Sequence, residues 1–172
     1  MKAVRDVKWP MPTSTPGVPK NNGLIERVVR RTKERGRKFL SQAGFVKEWW
    51  EYSCPAACFA KQISIAEGDT VSAYQLRRKV KCKATKFLFG ELVEYMPTPV
   101  IGKEPAPFDS RTRFGLFVGW HTNPGSIFTG DYYISDFEKF KEAPDSKPSE
   151  IRIHRTKEVW ALKQAVTKFP LA

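Results

Sequence analysis

Glu26 is the acidic residue whose neighbours in the sequence most strongly suggest chemistry. In the stretch NNGLIERVVRRTKERGRKFL it is followed, at steps of four, three and four residues, by Arg30, Lys33 and Arg37. Residues at these steps share one face of a helix. Two interpretations are open. Glu26 pairs with Arg30 on a solvated helix face, or it is one of several carboxylates that hold Mg²⁺ for phosphoryl transfer while the basic side chains hold nucleic-acid phosphates.

The helix that would carry Glu26 is predicted from a second pattern on its opposite face. Asn21 or Asn22 can cap its start. Because three- and four-residue steps trace one stripe of a helix, the pattern predicts that Ile25 and Val29 are buried and that the small residues of the stripe lie close to a neighbour. The stripe consists of Ile25, Val28, Val29, Thr32, Gly36, Phe39 and Leu40.

A second helix is predicted after Gly44, from aromatic and apolar residues at helical spacing. Pro55 must kink or split it. The two helices read as a hairpin that needs a sheet or another partner to cover it. Cys54 and Cys58 lie in the second helix and, with Cys82, make three cysteines without CxxC spacing. We interpret them as reduced, mostly structural residues that form neither a disulfide framework nor a zinc site.

Beyond residue 86 the helical period gives way to alternation. Short aromatic or β-branched runs at 87–96, 113–120, 131–137 and 150–160 are separated by stretches rich in Pro, Gly, Asn and Asp. Several short strands with such turns predict a small antiparallel barrel, so the predicted fold class is α+β. The predicted boundaries are an extended lead at 1–20, helices at 21–65, a basic linker at 66–86, the barrel at 87–160 and a tail at 161–172.

The charge of the chain predicts an anionic partner. The formal net charge is +12, which favours nucleic acid or an acidic membrane face. The linker ends in LRRKVKCKATK, where Arg77, Arg78 and Lys79 begin a basic run that can track phosphates, serve as a nuclear address, or be merely solvated. No apolar run approaches the roughly 18 residues of a membrane span, and the first twenty residues lack the short apolar core of a secretory signal, so we expect an intracellular protein without a membrane partner.

Histidine and aromatic side chains give two weaker hypotheses. His121 and His154 each stand alone beside aromatic or basic residues, so surface or packing roles are favoured over metal binding. Four aromatic residues of the predicted barrel can stack on bases, but alternation places about half of them in the core. They are Trp120, Phe128, Tyr132 and Tyr133.

The stretch PKNNGLIERVVRRTKERGRKFL resembles the last catalytic motif of the integrases of copia-type retrotransposons. That motif usually has Pro-Gln, Asn-Gly, an aliphatic or small pair, and then Glu-Arg on a helix. The segments EWWEY, FGELVEYMP, FDSRTRFGLFVGWHTNPG and GDYYISDF follow in the order expected of the SH3-like region of these polyproteins, and the similarity covers roughly residues 16 to 140. The matching residues of the motif are Pro19, Asn22, Gly23, Leu24, Ile25, Glu26 and Arg27.

The resemblance implies a fold and a set of roles. The fold would be the helical C-terminal remnant of an RNase-H-like integrase core followed by an SH3-like barrel. Glu26 would be the final acid of an Asp-Asp-Glu triad that binds Mg²⁺, and the protein would be nuclear. With the basic run, the residues expected to contact DNA are Lys20, Asn22, Arg27, Arg30, Lys33, Arg37, Arg77, Arg78 and Lys79.

The sequence departs from this family in two respects. The two aspartates of the triad are expected upstream, and only Asp6 precedes the motif, in a proline-rich lead. Lys20 replaces the usual glutamine. We therefore expect a fragment of an integrase or Pol polyprotein that binds DNA without sequence preference and is not catalytic alone. The alternatives are one half of an active integrase, completed by another chain or the rest of the core, and an SH3-like module that binds protein or nucleic acid.

Overall fold

The computed structural model of the protein describes residues 23–97, 106, 108–162 and 168–172. The predicted lead at 1–20, and with it Lys20, lies outside the described residues, as do Asn22 and residues 163–167 of the predicted tail. The chain divides into two compact units, Met1–Arg31 and Thr32–Ala172. None of the helices in the described part is long and apolar enough to cross a membrane.

The described residues form helices and one antiparallel sheet, so the predicted α+β class is confirmed. The predicted helical and strand-rich regions both contain the expected elements. In chain order these are α1 (Gly23–Ala43), a 3-10 turn (Lys47–Trp49), α2 (Trp50–Ile63), α3 (Ala73–Arg78), β1 (Leu92–Tyr95), β2 (Arg113–Asn123), β3 (Ile127–Asp136), α4 (Phe137–Glu142), β4 (Ile153–Thr156) and β5 (Val159–Ala161).

The first unit contains the start of α1, and its apolar side chains are exposed. Ile25 is 66% exposed and Val29 is 45% exposed, so the prediction that these residues are buried is wrong. Leu24 and Val28 beside them are exposed as well. An amphipathic pattern tells which residues share a face, but it does not tell whether another element of the chain reaches that face.

In the second unit, α1 and α2 approach each other closely at small residues. A Cβ atom at Gly36 would lie 2.6 Å from the Sγ of Cys54, closer than side-chain packing allows. One turn earlier, the Oγ1 of Thr32 lies 3.8 Å from the Sγ of Cys58. The predicted close contact at the small residues is therefore confirmed. The α2 helix is not split at Pro55.

The sheet has the strand order β4-β3-β2-β1-β5, and all neighbouring strands are antiparallel. The strands β4 and β5 occupy opposite edges, yet only Lys157 and Glu158 connect them. Edges of a flat sheet of this size would be about 19 Å apart, four spacings of about 4.8 Å. The three Cα steps from Thr156 to Val159 span at most about 11 Å. The sheet must therefore curl until its edges approach.

The curled sheet is not closed into the predicted barrel. No ladder of hydrogen bonds joins β4 to β5 in the described residues, so each keeps one side without a strand neighbour. The register of β2 against β3 shifts between Phe117 and Gly119 and again between Trp120 and Thr122. Bulges of this kind increase the local twist and bend the strand. The bulges in β2 thus bend the sheet. The two-residue connection between β4 and β5 limits the distance between the two edges.

Aromatic side chains join the helices of the second unit to the sheet in one core. The ring centroids of Phe59 in α2 and Trp120 in β2 are 5.4 Å apart. Trp49 is fully buried, contacts Phe140 of α4 at 5.5 Å, and donates its indole N–H to the Ser146 carbonyl at 2.9 Å. The partner that the helical hairpin was expected to need is therefore the sheet of the same chain.

Two aliphatic residues of α1 test whether its apolar stripe is buried only at one end of the helix. Leu40 is 8% exposed and Ile25 is 66% exposed. We expect Leu40→Ala to lower the free energy of unfolding by about 2 to 5 kcal/mol because it leaves a cavity. Ile25→Ala should change it by no more than about 0.5 kcal/mol, as at other surface positions. Urea unfolding followed by tryptophan fluorescence measures both, and equal losses would show that Ile25 is covered in solution.

Candidate nucleic-acid interface

The first unit carries Glu26, Arg27 and Arg30 on exposed turns of α1. Glu26 lies in the first turn, where a negative charge is favoured by the helix dipole. The ion pair between Glu26 and Arg30 that one interpretation required is not formed, and neither residue pairs with another charge in the described part of the chain. Both side chains are thus available to a ligand or to solvent.

No other metal-ligating side chains of the described residues are grouped with Glu26 in a metal site. Within the part of the chain that the structure describes, no three His, Cys, Asp or Glu side chains are grouped so as to hold an ion. Magnesium sites in proteins commonly combine one or two carboxylates with substrate phosphates and water. Glu26 can supply one such ligand. The Mg²⁺ that the resemblance implies needs the two missing aspartates as well, so we expect that this chain alone does not bind it.

Lys33 and Arg37 belong to the second unit and are exposed on α1. The buried residues of this part of the helix are Gly36, Leu40 and Ala43. The two basic side chains therefore point away from the contact with α2, as the helical pattern predicted. They are accessible cations on a well-packed helix.

The basic residues at the end of α3 differ in their roles. Arg78 donates a hydrogen bond from its guanidinium to the carbonyl of Gly125, in the turn between β2 and β3. Lys79 ends the helix in a left-handed conformation, with φ at 60°, and its N–H donates to the Gln75 carbonyl at 2.8 Å. Arg77 is exposed. Arg78 thus ties α3 to the sheet, while Arg77 and Lys79 present their charges to solvent.

The residues after α3 form what we call the lysine segment, 79–86. Its exposed lysines are Lys79, Lys81, Lys83 and Lys86. Between them, Cys82 and Ala84 are partly buried and pack against the core. In an extended chain, side chains alternate between two sides. Lys81 and Lys83, which flank the packed Cys82, therefore lie on the outer side, and Lys79 and Lys86 are exposed as well.

Hydrogen bonds at Thr85 hold the lysine segment against the sheet. The Thr85 N–H donates to the hydroxyl of Tyr132, and the indole N–H of Trp120 donates to the Thr85 carbonyl, both at 3.0 Å. This part of the predicted linker is therefore fixed to the second unit. Lys81, Lys83 and Lys86 were not named individually as contact residues, although they belong to the basic run that can track phosphates, and the alternation in KVKCKA was a signal for Lys81 and Lys83.

The aromatic residues considered for base stacking pack inside the second unit. Trp120 and Tyr132 are buried, while Phe128 and Tyr133 are partly buried against the core. Phe128 and Tyr132 contact each other with ring centroids 5.4 Å apart. Their ring faces are engaged with other residues of the core. The described structure therefore gives no support to base stacking on these four rings.

His121 lies near polar groups that sequence reasoning did not connect with it. Its Nδ1 is 3.2 Å from the hydroxyl of Thr129 and 3.9 Å from Oδ2 of Asp131. Asp131 also accepts a hydrogen bond from Nε of Arg155 at 2.7 Å. Both neighbours approach the same imidazole nitrogen, whereas a hydroxyl nucleophile and its orienting acid need opposite nitrogens. The cluster is a polar contact between strands.

His154 is a packing residue, as predicted. It is 6% exposed, its ring lies 5.2 Å from that of Tyr95, and its Nδ1 has no hydrogen-bond partner among the described residues. Burial lowers the pKa of His154, and the positive charge of Arg152 adds to this effect. Burial and the nearby carboxylate of Asp136 raise the pKa of Tyr95 to about 12. Both rings are therefore uncharged at neutral pH.

The chain was compared with protein families, with curated proteins and with solved structures, and none of them matched it.

The burial of His154 predicts a dependence of stability on pH. Because its pKa is lower in the folded state than the usual value of about 6.5, the unfolded chain takes up the proton first as pH falls. Its contribution to stability is thus present above about pH 6.5 and lost below it, with a slope of at most about 1.4 kcal/mol per pH unit. Denaturant unfolding from pH 7.5 to 5 should show this loss.

His154→Phe should remove that slope, whatever its effect on stability at pH 7.5. His121→Gln is the matched control, since it removes the other histidine and leaves the buried ring in place. An unchanged slope in His154→Phe would assign the pH dependence to other groups.

Proposed function

We propose that this protein binds DNA without sequence preference, and that the lysine segment is the main contact. The observation that carries the proposal is the fixed row of exposed lysines, held to the sheet through Thr85 with no acidic residue between residues 79 and 86. Contacts to phosphates carry no sequence information in themselves, and their free energy comes largely from the release of counterions. Arg77 and the exposed Lys33 and Arg37 of the same unit add positive charge.

We further propose a relationship to the copia-type integrases, with an SH3-like second unit. The ordered motifs of the sequence support it, and so does the sheet, in which β1 pairs with the last strand, β5, and the edges curl toward each other. Under this proposal Glu26 corresponds to the last acid of the catalytic triad. One carboxylate cannot clamp the attacking and leaving oxygens of a phosphoryl transfer, so the chain alone does not catalyse integration.

A second candidate function is one half of an integrase that another chain completes. It is favoured by the first unit, in which Glu26 is exposed beside the exposed side chains of Ile25 and Val29 and forms no ion pair with any described residue. A partner that covers this face could bring further carboxylates to Glu26. Both candidate functions imply a protein located in the nucleus.

The proposed DNA contact is tested by the salt dependence of binding. Each phosphate contact contributes about −0.9 to the slope of log affinity against log salt for duplex DNA. We expect Lys81→Gln with Lys83→Gln to reduce the magnitude of that slope by about 1.8 if each lysine makes one contact. Fluorescence anisotropy with an arbitrary labelled duplex, between low and moderate salt, measures it.

A matched control has the same change in net charge. Lys139 and Lys141 are exposed on α4, where they pair with Glu142 and Glu138. Lys139→Gln with Lys141→Gln should alter the slope much less. An equal effect of both double variants would show that net charge, and not the lysine segment, governs binding.

The catalytic question has its own test. The purified chain should show no strand transfer or end processing in Mg²⁺ or Mn²⁺, because one carboxylate leaves the ion mostly hydrated and unpositioned. Activity of this chain alone that is lost in Glu26→Gln would contradict this expectation. Activity that appears only when a chain supplying two aspartates is added, and that again requires Glu26, would establish the second candidate function.

A further inference from the structure

A row of three side chains crosses β2, β1 and β5 on one face of the sheet. Glu94 of β1 is paired directly with Phe114 of β2 on one side and with Trp160 of β5 on the other. Directly opposite residues of antiparallel strands project to the same face, with Cβ atoms about 4.5 to 5.5 Å apart. The carboxylate therefore stands between two aromatic side chains. We call this set the aromatic–carboxylate row.

Both aromatic side chains of the row are accessible to solvent. Phe114 is 49% exposed and Trp160 is 45% exposed. Two residues along each strand on the same face, Leu116 is fully buried and Leu92 packs against the core. This face of the sheet is therefore covered at one end and open at the row. The row borders the core without being enclosed by it.

One oxygen of the row's carboxylate is held by a hydrogen bond, and no partner of the other oxygen is found among the described residues. Oε1 of Glu94 accepts a hydrogen bond from the hydroxyl of Thr112 at 2.5 Å, and that hydroxyl lies 3.2 Å from the hydroxyl of Ser110. No Lys or Arg of the described residues forms an ion pair with Glu94. The chain has 30 Lys and Arg residues against 18 Asp and Glu. An acid without an ion-pair partner among the described residues, framed by two exposed rings, is therefore a distinctive feature of this surface.

We propose that the aromatic–carboxylate row binds an arginine side chain presented by a partner protein. A guanidinium is planar, so it can stack on an aromatic face while its N–H groups donate to a carboxylate. The row offers both kinds of contact within the reach of one side chain. A lysine ammonium would bind less well, because it is a compact, strongly hydrated charge without a planar face.

The ligand of this site differs from the ligand of the lysine segment. The carboxylate of Glu94 repels phosphate, so the row is unsuited to the nucleic-acid backbone. The net positive charge of the chain disfavours basic partners at long range, but this repulsion is screened beyond about 8 Å at physiological salt. Binding must therefore come from close contact with the two rings and the carboxylate.

The probe for this site is the peptide acetyl-Gly-Arg-Gly-amide, titrated into the full chain. Tryptophan fluorescence and the indole N–H signals in NMR spectra report the binding. One stacked and hydrogen-bonded guanidinium should give a dissociation constant on the order of 1 to 10 mM. Glu94→Gln should weaken binding by about tenfold or more, since it keeps the shape of the side chain and removes its charge.

Controls separate this site from general effects of charge and aromatic surface. Trp50 is 64% exposed on α2 and lies outside the row, so Trp50→Ala should bind the peptide as the natural sequence does. Trp160→Ala and Phe114→Leu should each weaken binding. The urea unfolding midpoint of every variant is measured to confirm that it is folded, and Glu94→Gln still tests the proposal if an aromatic variant does not fold.

A peptide in which citrulline replaces arginine keeps the shape of the side chain without its charge, and it should not bind measurably. Equal binding of the citrulline peptide, or unchanged binding of the arginine peptide by Glu94→Gln, would overturn the proposal. Loss of binding in Trp50→Ala would overturn it as well, because the site would then lie on α2. The DNA affinity of Glu94→Gln should not fall, so this result is independent of the proposed DNA contact.

Discussion

Two residues, Lys157 and Glu158, carry the chain from one edge of the sheet to the other, and the rest of the second unit depends on this constraint. A flat five-stranded sheet could not be bridged by so short a connection. The sheet must curl, and the shifts of register in β2 provide the bend. Curling brings Tyr95 and His154, which lie on β1 and β4, into contact across the inside of the sheet.

The curled sheet also provides the surface against which the helices and the lysine segment are fixed. The aromatic contacts between α2 and β2 join the helical region to the sheet in one core. The same part of the sheet holds Thr85, because Trp120 and Tyr132 use their polar atoms to bind its backbone. Buried polar atoms of Trp and Tyr usually find such partners. Packing in the core therefore determines which lysines face solvent.

The charges of the described surface are arranged by these backbone constraints. The lysine segment presents four exposed cations, and we propose that it binds the DNA backbone. The row around Glu94 combines a carboxylate with aromatic rings, and we propose that it binds an arginine side chain of a partner protein. Glu26 lies in the other unit, where neighbouring apolar residues are exposed. The three features thus differ in the chemistry that each can offer to a partner.

The sequence by itself determined much of the local structure. Helical spacing identified α1 and α2, alternation identified most of the strands, and the small residues of the stripe identified the close approach at Gly36. These features follow from the periods of the helix and the strand and from steric size, so they are encoded locally. The basic character of the α1 face could be inferred for the same reason, and the lack of neighbouring ligands in the sequence favoured a surface or packing role for His154, which is buried.

Only the tertiary structure decided which faces are covered and which side chains meet. The stripe of α1 is buried at Leu40 and exposed at Ile25, although both positions fit one pattern. Arg78 is engaged by the turn at Gly125, and the row at Glu94 joins residues of three strands that are distant in sequence. The open sheet in place of a closed barrel depends on pairing between strand edges. Such contacts arise from the positions of whole elements, which a periodic pattern does not specify.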